Sequence, residues 1–224
     1  KSRTHWDGFT LSWYTQMFES RAIMYALYTT LLVAMISALV ATVIGTVTAI
    51  AISHMKPVSK NIFMSISNIP MLNADIVTGI ALMLAFIAFG ISLGFKTVLI
   101  SHITFNIPYV ILRVMPKLKQ TDRSTYEAAL DLGASPAYAF FEVVFPDIMP
   151  GVLSGFLLAF TMSLDDFIIT HFTKGAGINT LSTLIYSEVC RCFLPSMYTF
   201  SSVIFLLVLV VLLIANFRKQ PEKD

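Results

Sequence analysis

Three carboxylates, Asp75, Asp165 and Asp166, interrupt stretches that are otherwise apolar over many residues. An ionised Asp at mid-bilayer costs about 2.5–3.5 kcal/mol on insertion scales, so such a group should face water, a partner or a ligand. Counted at about 1.5 Å per residue from the inner ends of their stretches, Asp75 rises roughly 20 Å and Asp165 roughly 22 Å. Asn106 and Tyr109 lie on a stretch running the other way and come near the same level. Carboxylates beside an aromatic face suit a cationic substrate, through ion pairing and cation–π attraction. A structural reading competes: Asp75 caps a broken helix, and one of Asp165 and Asp166 satisfies backbone at a kink. Helical neighbours point about 100° apart, so at most one of that pair can aim at a central path. His102 reads as a hydrogen-bonded packing residue rather than a proton relay.

A second constellation lies in residues 121–151, the longest charged, water-compatible segment between apolar ones. Ser124-x-x-Glu127 has the spacing of a capping box, which starts a helix at Thr125. Gly133 is placed to end that helix, because Gly takes the left-handed conformation without a Cβ penalty. Ser135 offers a second N-cap, with Pro136 at the first helical position. Pro146 and Pro150 bracket the start of the next apolar run. The segment therefore reads as helix, sharp corner, helix: a stiff elbow built to be gripped.

Several chemistries are excluded. No G-x-x-x-x-G-K-[ST] is present, so the chain cannot cradle nucleotide phosphates by itself. Neither H-E-x-x-H nor G-x-S-x-G occurs. Asp165 and Asp166 make a poor aspartyl dyad, because adjacent side chains diverge; Asp75 with Asp165 could face each other, but no accompanying motif supports an enzyme. The net charge of +2 comes with no basic face for nucleic acid. Cys190 and Cys192 are too close for an unstrained mutual disulfide and read as small loop side chains, not metal ligands.

The elements that must position these groups are membrane helices. The chain is 56% hydrophobic and 12% charged, with a mean hydropathy of +0.77. Charge-free runs long enough to cross about 30 Å of hydrocarbon recur along it. The expectation is an all-α, polytopic membrane bundle forming one transmembrane domain over residues 1–224. Its spans are 22–53, 62–89, 97–115, 150–172 and 199–217, with the elbow at 121–149. In the first span, Ser37, Ala41, Gly45 and Ala49 put small side chains on one face for close helix packing. In the second, Pro70 should kink or interrupt the helix. Trp6, Phe9, Trp13 and Tyr14 suit a membrane–water interface. Leu181, Leu184 and Ile185 share a helical face in the loop that follows the fourth span.

Positive charge orients the bundle. With the elbow inside the cell, Lys56, Lys60, Arg113, Lys117, Lys119, Arg123, Arg218, Lys219 and Lys223 lie inside. Lys1, Arg3, Arg21, Lys96, Lys174 and Arg191 lie outside. Five spans then leave the N-terminus outside, and the absence of a signal peptide or initiator Met suggests one further span upstream.

Glu127-Ala128-Ala129, then Gly133, then Val143-Val144-Phe145-Pro146 resembles the EAA signature of ABC importer permeases in every spacing. Val143 and Phe145 stand where that pattern carries Ile and Leu. The runs at 101–110, 127–135 and 160–172 further resemble the second, C-type permease subunit of spermidine/putrescine importers. So does the Trp6–Tyr14 run. The resemblance covers nearly the whole chain except that family's first helix. It implies that the elbow is a coupling helix docking on a separate ATPase, with Glu127, Ala128, Ala129, Gly133 and Pro146 at its centre. It implies a second permease subunit, an ATPase dimer that binds the ATP, and an external polyamine-binding protein, in a bacterial plasma membrane. Elbow and C-terminus would be cytoplasmic. Relatives carrying ferric iron, thiamine or phosphonates share the loop and remain alternative readings of the substrate. An ion-coupled secondary transporter is disfavoured, because inverted repeats are lacking.

Overall fold

The computed structural model describes residues 19–121 and 123–190. The expected span 199–217, the aromatic N-terminal run and Cys192 lie outside the described residues. The elements are α1 (Arg21–Ser53), α2 (Pro57–Leu72), α3 (Asp75–Ala88), α4 (Phe95–Gln120) and α5 (Arg123–Asp131). They continue with α6 (Pro136–Ala139), a π-helical stretch (Phe140–Val144), α7 (Phe145–Asp165), α8 (Ile168–Thr173) and α9 (Leu181–Cys190). Among the described residues, three helical rods are long and apolar enough to cross a membrane: Arg21–Ser53, Phe95–Gln120 and Pro136–Asp165.

The core is the three-way contact of α1, α4 and α7. The small-residue face of α1 is what lets them close. Ser37, Ala41 and Ala49 are fully buried, and Gly45 is buried with them. Below that face Ile52, Val114 and Met115 complete an apolar cluster with Ala159. At Gly45 the approach leaves no room for a methyl group: a Cβ there would stand 2.8 Å from both Cβ and Cγ1 of Val110. Val110 is β-branched and cannot swing aside without moving α4. Gly45→Ala is therefore expected to destabilise the bundle by about 1–3 kcal/mol. The thermal unfolding midpoint in detergent reads this directly; an unchanged midpoint would contradict the tight contact.

Two expected spans are not single helices. The second divides into α2 and α3, which meet at a 102° bend. The bend is not at Pro70, which stays inside α2. It falls at Asn73 and Ala74, whose ψ angles of 149° and 137° are extended. A proline destabilises the turn it sits in, but the chain here leaves the helix only once that turn is complete. The fourth span ends its long helix at Asp165 and resumes at Ile168. It also starts earlier than expected, because α6, the π-helical stretch and α7 run on as one rod from Pro136. Pro146 and Pro150 lie within that rod, at the start of α7, rather than before it. The third span is longer than expected, α4 carrying both Pro108 and Pro116 inside it.

The broken ends are tied to one another. α3 packs on α8, Gly79 facing Ile169 and Phe172. Thr97 at the start of α4 donates to the carbonyl of Thr173 at 2.8 Å. The face expected at residues 181–185 is real: Leu184 packs on Ile23 and Ala26 of α1, with Leu181 and Ile185 beside it. The Leu181 amide donates to Thr30 Oγ1 at 2.8 Å. Cys190 ends α9 as an exposed free thiol rather than lying in a loop.

Candidate functional site

Both helix breaks carry the carboxylates. Asp75 opens α3, where the helix dipole favours a negative charge in the first turn. Asp165 closes α7, and Asp166 follows it in extended conformation (φ −61°, ψ 123°). Asp75 and Asp165 are exposed. The charge of Asp75 is felt at Asp165 and at Tyr109 on α4. Tyr109 is held edge-on by Phe105, ring centroids 5.1 Å apart. Among the described residues neither Asp75 nor Asp165 has a cationic partner. Two carboxylates with no cationic partner among the described residues thus stand at the two helix breaks, which the packing of α3 on α8 brings together, and Tyr109 lies within range of the Asp75 charge.

Asp166 does something different. Its carboxylate accepts from the amides of Ile169 (3.2 Å) and Thr170 (2.8 Å) and from Thr170 Oγ1 (2.9 Å). Its side chain is 8% exposed and pairs with His102 Nε2 at 3.4 Å. It is the member of the pair that satisfies backbone at the break, as one of the two was expected to. Asn106 does not join the acidic group either. It is fully buried in the helix interface, and neither end of its amide finds a partner among the described residues.

His102 is a packing residue with hydrogen bonds at both ring nitrogens, to Ser163 and Thr170. Ser163 also meets Ser37 of α1 at 3.1 Å. Sequence alone does not single out these hydroxyls. Thr30, Thr42, Thr48, Thr104 and Thr161 each spend theirs on a carbonyl one turn back, and nothing in their type distinguishes them from Ser163 or Thr170.

The elbow has the expected corner. Gly133 has φ +88°. Its amide donates to the Leu130 carbonyl at 2.9 Å, and the Ala134 amide to the Ala129 carbonyl at 3.1 Å. This is a Schellman closure, which needs a left-handed residue at that one position. Ser135 Oγ then accepts from the Tyr138 amide at 3.3 Å and caps α6. The first elbow helix begins at Arg123 rather than Thr125, so Ser124 falls inside its first turn. Glu127, Ala128, Gly133 and Pro146 are exposed and Ala129 half-buried; Leu132 is 90% exposed. Phe140, Phe141 and Phe145 cluster where the elbow turns into α7. Between elbow and helix ends is a cavity of about 480 Å³, lined among others by Lys60, Lys119 and Tyr126. The elbow is thus a separate stiff body joined to the bundle through the α7 rod.

A helical bundle with broken spans and an exposed, capped elbow is the fold of ABC importer permeases. A solved bacterial ABC transporter that imports the acidic polysaccharide alginate aligns with a TM-score of 0.74, over 96% of this chain and 84% of that one, at 16% identity. The MetNI methionine ABC transporter aligns at 0.66, over 89% and 96%, also at 16% identity. Residues 41–218 match the family of binding-protein-dependent transport system inner membrane components, and the chain belongs to that family. It is 35% identical to the putrescine transport system permease protein PotI of Escherichia coli K12, over 99% of this chain and 83% of the relative. It is 35% identical to the spermidine/putrescine transport system permease protein PotC of the same strain, over 93% and 79%. The PotC of Haemophilus influenzae is 33% identical, over 94% and 82%.

Proposed function

We propose that this chain is the membrane-spanning subunit of an ATP-driven importer that moves polyamines into the cell by alternating access. It hydrolyses no ATP itself; a pair of ABC ATPase subunits does so. A second permease subunit completes the pore, and an external polyamine-binding protein delivers the substrate. The elbow and C-terminus face the cytoplasm. The charge distribution supports this, since Lys60 and Lys119 border the elbow cavity while Lys96 and Lys174 flank the Thr97–Thr173 contact at the other end.

The observation that carries the substrate reading is the unpaired couple Asp75 and Asp165 beside Tyr109. Two carboxylates at the joints of two broken helices, with an aromatic face alongside, fit a flexible chain bearing spaced ammonium groups. Relatives named for putrescine and spermidine transport point the same way. Ferric iron, thiamine and phosphonates are the competing cargoes. A phosphonate fits poorly, because an anion would meet two like charges. Glu127, Ala128, Ala129, Gly133 and Pro146 form the docking side of the elbow. ATP-driven closure of the ATPases moves this body, and the rigid rod running from Pro136 to Asp165 carries the motion to the break beside Asp165.

The test is uptake by proteoliposomes holding this chain, its second permease and the ATPases, supplied with the cognate binding protein. ATP-dependent accumulation of putrescine or spermidine is expected. Accumulation of thiamine or ferric iron in place of either polyamine would refute the assignment.

A further inference from the structure

His102 joins four helices through a closed chain of polar groups. It is 2% exposed. Thr170 Oγ1 donates to Asp166 Oδ2 at 2.9 Å, so its oxygen is left to accept from His102 Nε2–H at 2.8 Å. Nε2 is therefore the protonated nitrogen of the neutral ring, an assignment made from its partners. Ser163 then donates to Nδ1 and accepts from Ser37. Every member finds a partner, which is the condition for a buried polar network to stiffen its surroundings.

The location gives this stiffness a use. The network spans α1, α4, α7 and α8 and closes on the break at Asp166. Asp165, the residue just before it, is the exposed carboxylate at the same break. Adjacent residues cannot rotate independently at a break: pinning Asp166 fixes the direction in which Asp165 leaves the end of α7. We propose that His102 is a positioning residue, which locks Asp166 into its capping role and so aims Asp165 at the cation path. His102 and Asp166 themselves touch no cargo. The inference rests on the reading of Asp165 as a cation contact.

The two residues can be tested as a cycle in the complete reconstituted importer, with putrescine uptake normalised to assembled complex. His102→Gln and Asp165→Asn are each expected to lower the maximal rate about tenfold. Together they should lower it about tenfold as well, because a positioning residue has nothing to position once its client is gone. Multiplied losses, on the order of 100-fold, would overturn the inference, since a general structural role costs as much in either background. So would a wild-type rate for His102→Gln. A silent Asp165→Asn would instead remove the cation-contact reading, and the inference with it. Should His102→Gln not assemble, Ser163→Ala removes the Nδ1 partner and carries the same expectation.

Discussion

Gly133→Asp is expected to abolish uptake while the protein still assembles in the membrane. Two effects act at the same site. With φ at +88°, any L side chain there is strained; the left-handed conformation costs about 1–2 kcal/mol outside glycine. Relief of that strain opens the Schellman closure, releasing the carbonyls of Ala129 and Leu130 and changing the angle between the two elbow helices. The second effect is external. A Cβ at Gly133 meets nothing within 4 Å inside this chain, so a new carboxylate projects onto the docking face. Gly133→Asn separates the two. It tolerates the left-handed backbone and adds no charge, so it should retain much of the uptake that Gly133→Asp loses. Uptake by both variants at wild-type level would remove the elbow from the mechanism. Membrane insertion, read by the amount of intact protein in washed membranes, should be unchanged in both, because the corner lies outside the packed core of α1, α4 and α7.

Asp75→Asn combined with Asp165→Asn has the second large effect. Each carboxylate that contacts an ammonium in a partly screened site contributes on the order of 1–1.4 kcal/mol, or about tenfold in rate. Removing both should lower putrescine uptake by well over tenfold, while ATP hydrolysis stimulated by the loaded binding protein stays within about twofold. The signature is the split between transport and hydrolysis: the engine turns and the cargo does not pass. Equal loss of both activities would make the pair structural. Asp166→Asn should behave differently, because it replaces one of the two oxygens that accept from the Ile169 and Thr170 amides with an NH2 donor and removes the carboxylate beside His102. It should lower the stability of the purified complex, whereas Asp165→Asn, exposed and uncapping, should not.

How far the sequence foretold this depends on the kind of signal. The elbow was legible almost residue by residue. Gly133, Ser135 and Pro136 act through their own backbone, and local chemistry survives any tertiary context. The small-residue face of α1 was legible too, because side-chain size at a spacing of four reads directly as a packing surface. The breaks were not. Pro70 announces a weak turn, yet the chain bends at Asn73 and Ala74, where α3 is drawn onto α8 by contacts distant in sequence. Asp165 and Asp166 were recognised as a pair with divided roles, but not which would cap. Asp166 takes that role on the amides of Ile169 and Thr170, and it also meets His102, 64 residues earlier in the chain. Asn106 looked like a wall of the path and proves to be buried, because helical phase near a break is set by packing and not by residue count. The hydroxyls of Ser37, Ser163 and Thr170 gave no signal of their own.

The common thread is mechanical. A left-handed corner at Gly133 joins two short helices. A rod from Pro136 to Asp165 connects that corner to the point where α7 stops. There the chain changes direction under the control of a buried imidazole and presents one acidic group to the place where cargo would pass. The glycine-lined and alanine-lined contact of α1 with α4 keeps the surrounding bundle stiff enough for displacement at one end to be felt at the other.

The most direct measurement is cross-linking at the tip of the elbow. Leu132→Cys, in a variant whose native cysteines are replaced, places a thiol on a residue that is 90% exposed beside the corner. In the assembled importer it should cross-link to a cysteine in the cleft of the ATPase subunit, stop uptake, and restore it on reduction. A Leu132 thiol that reacts with a membrane-impermeant reagent applied to the outside of intact cells, and never with the ATPase, would contradict the account.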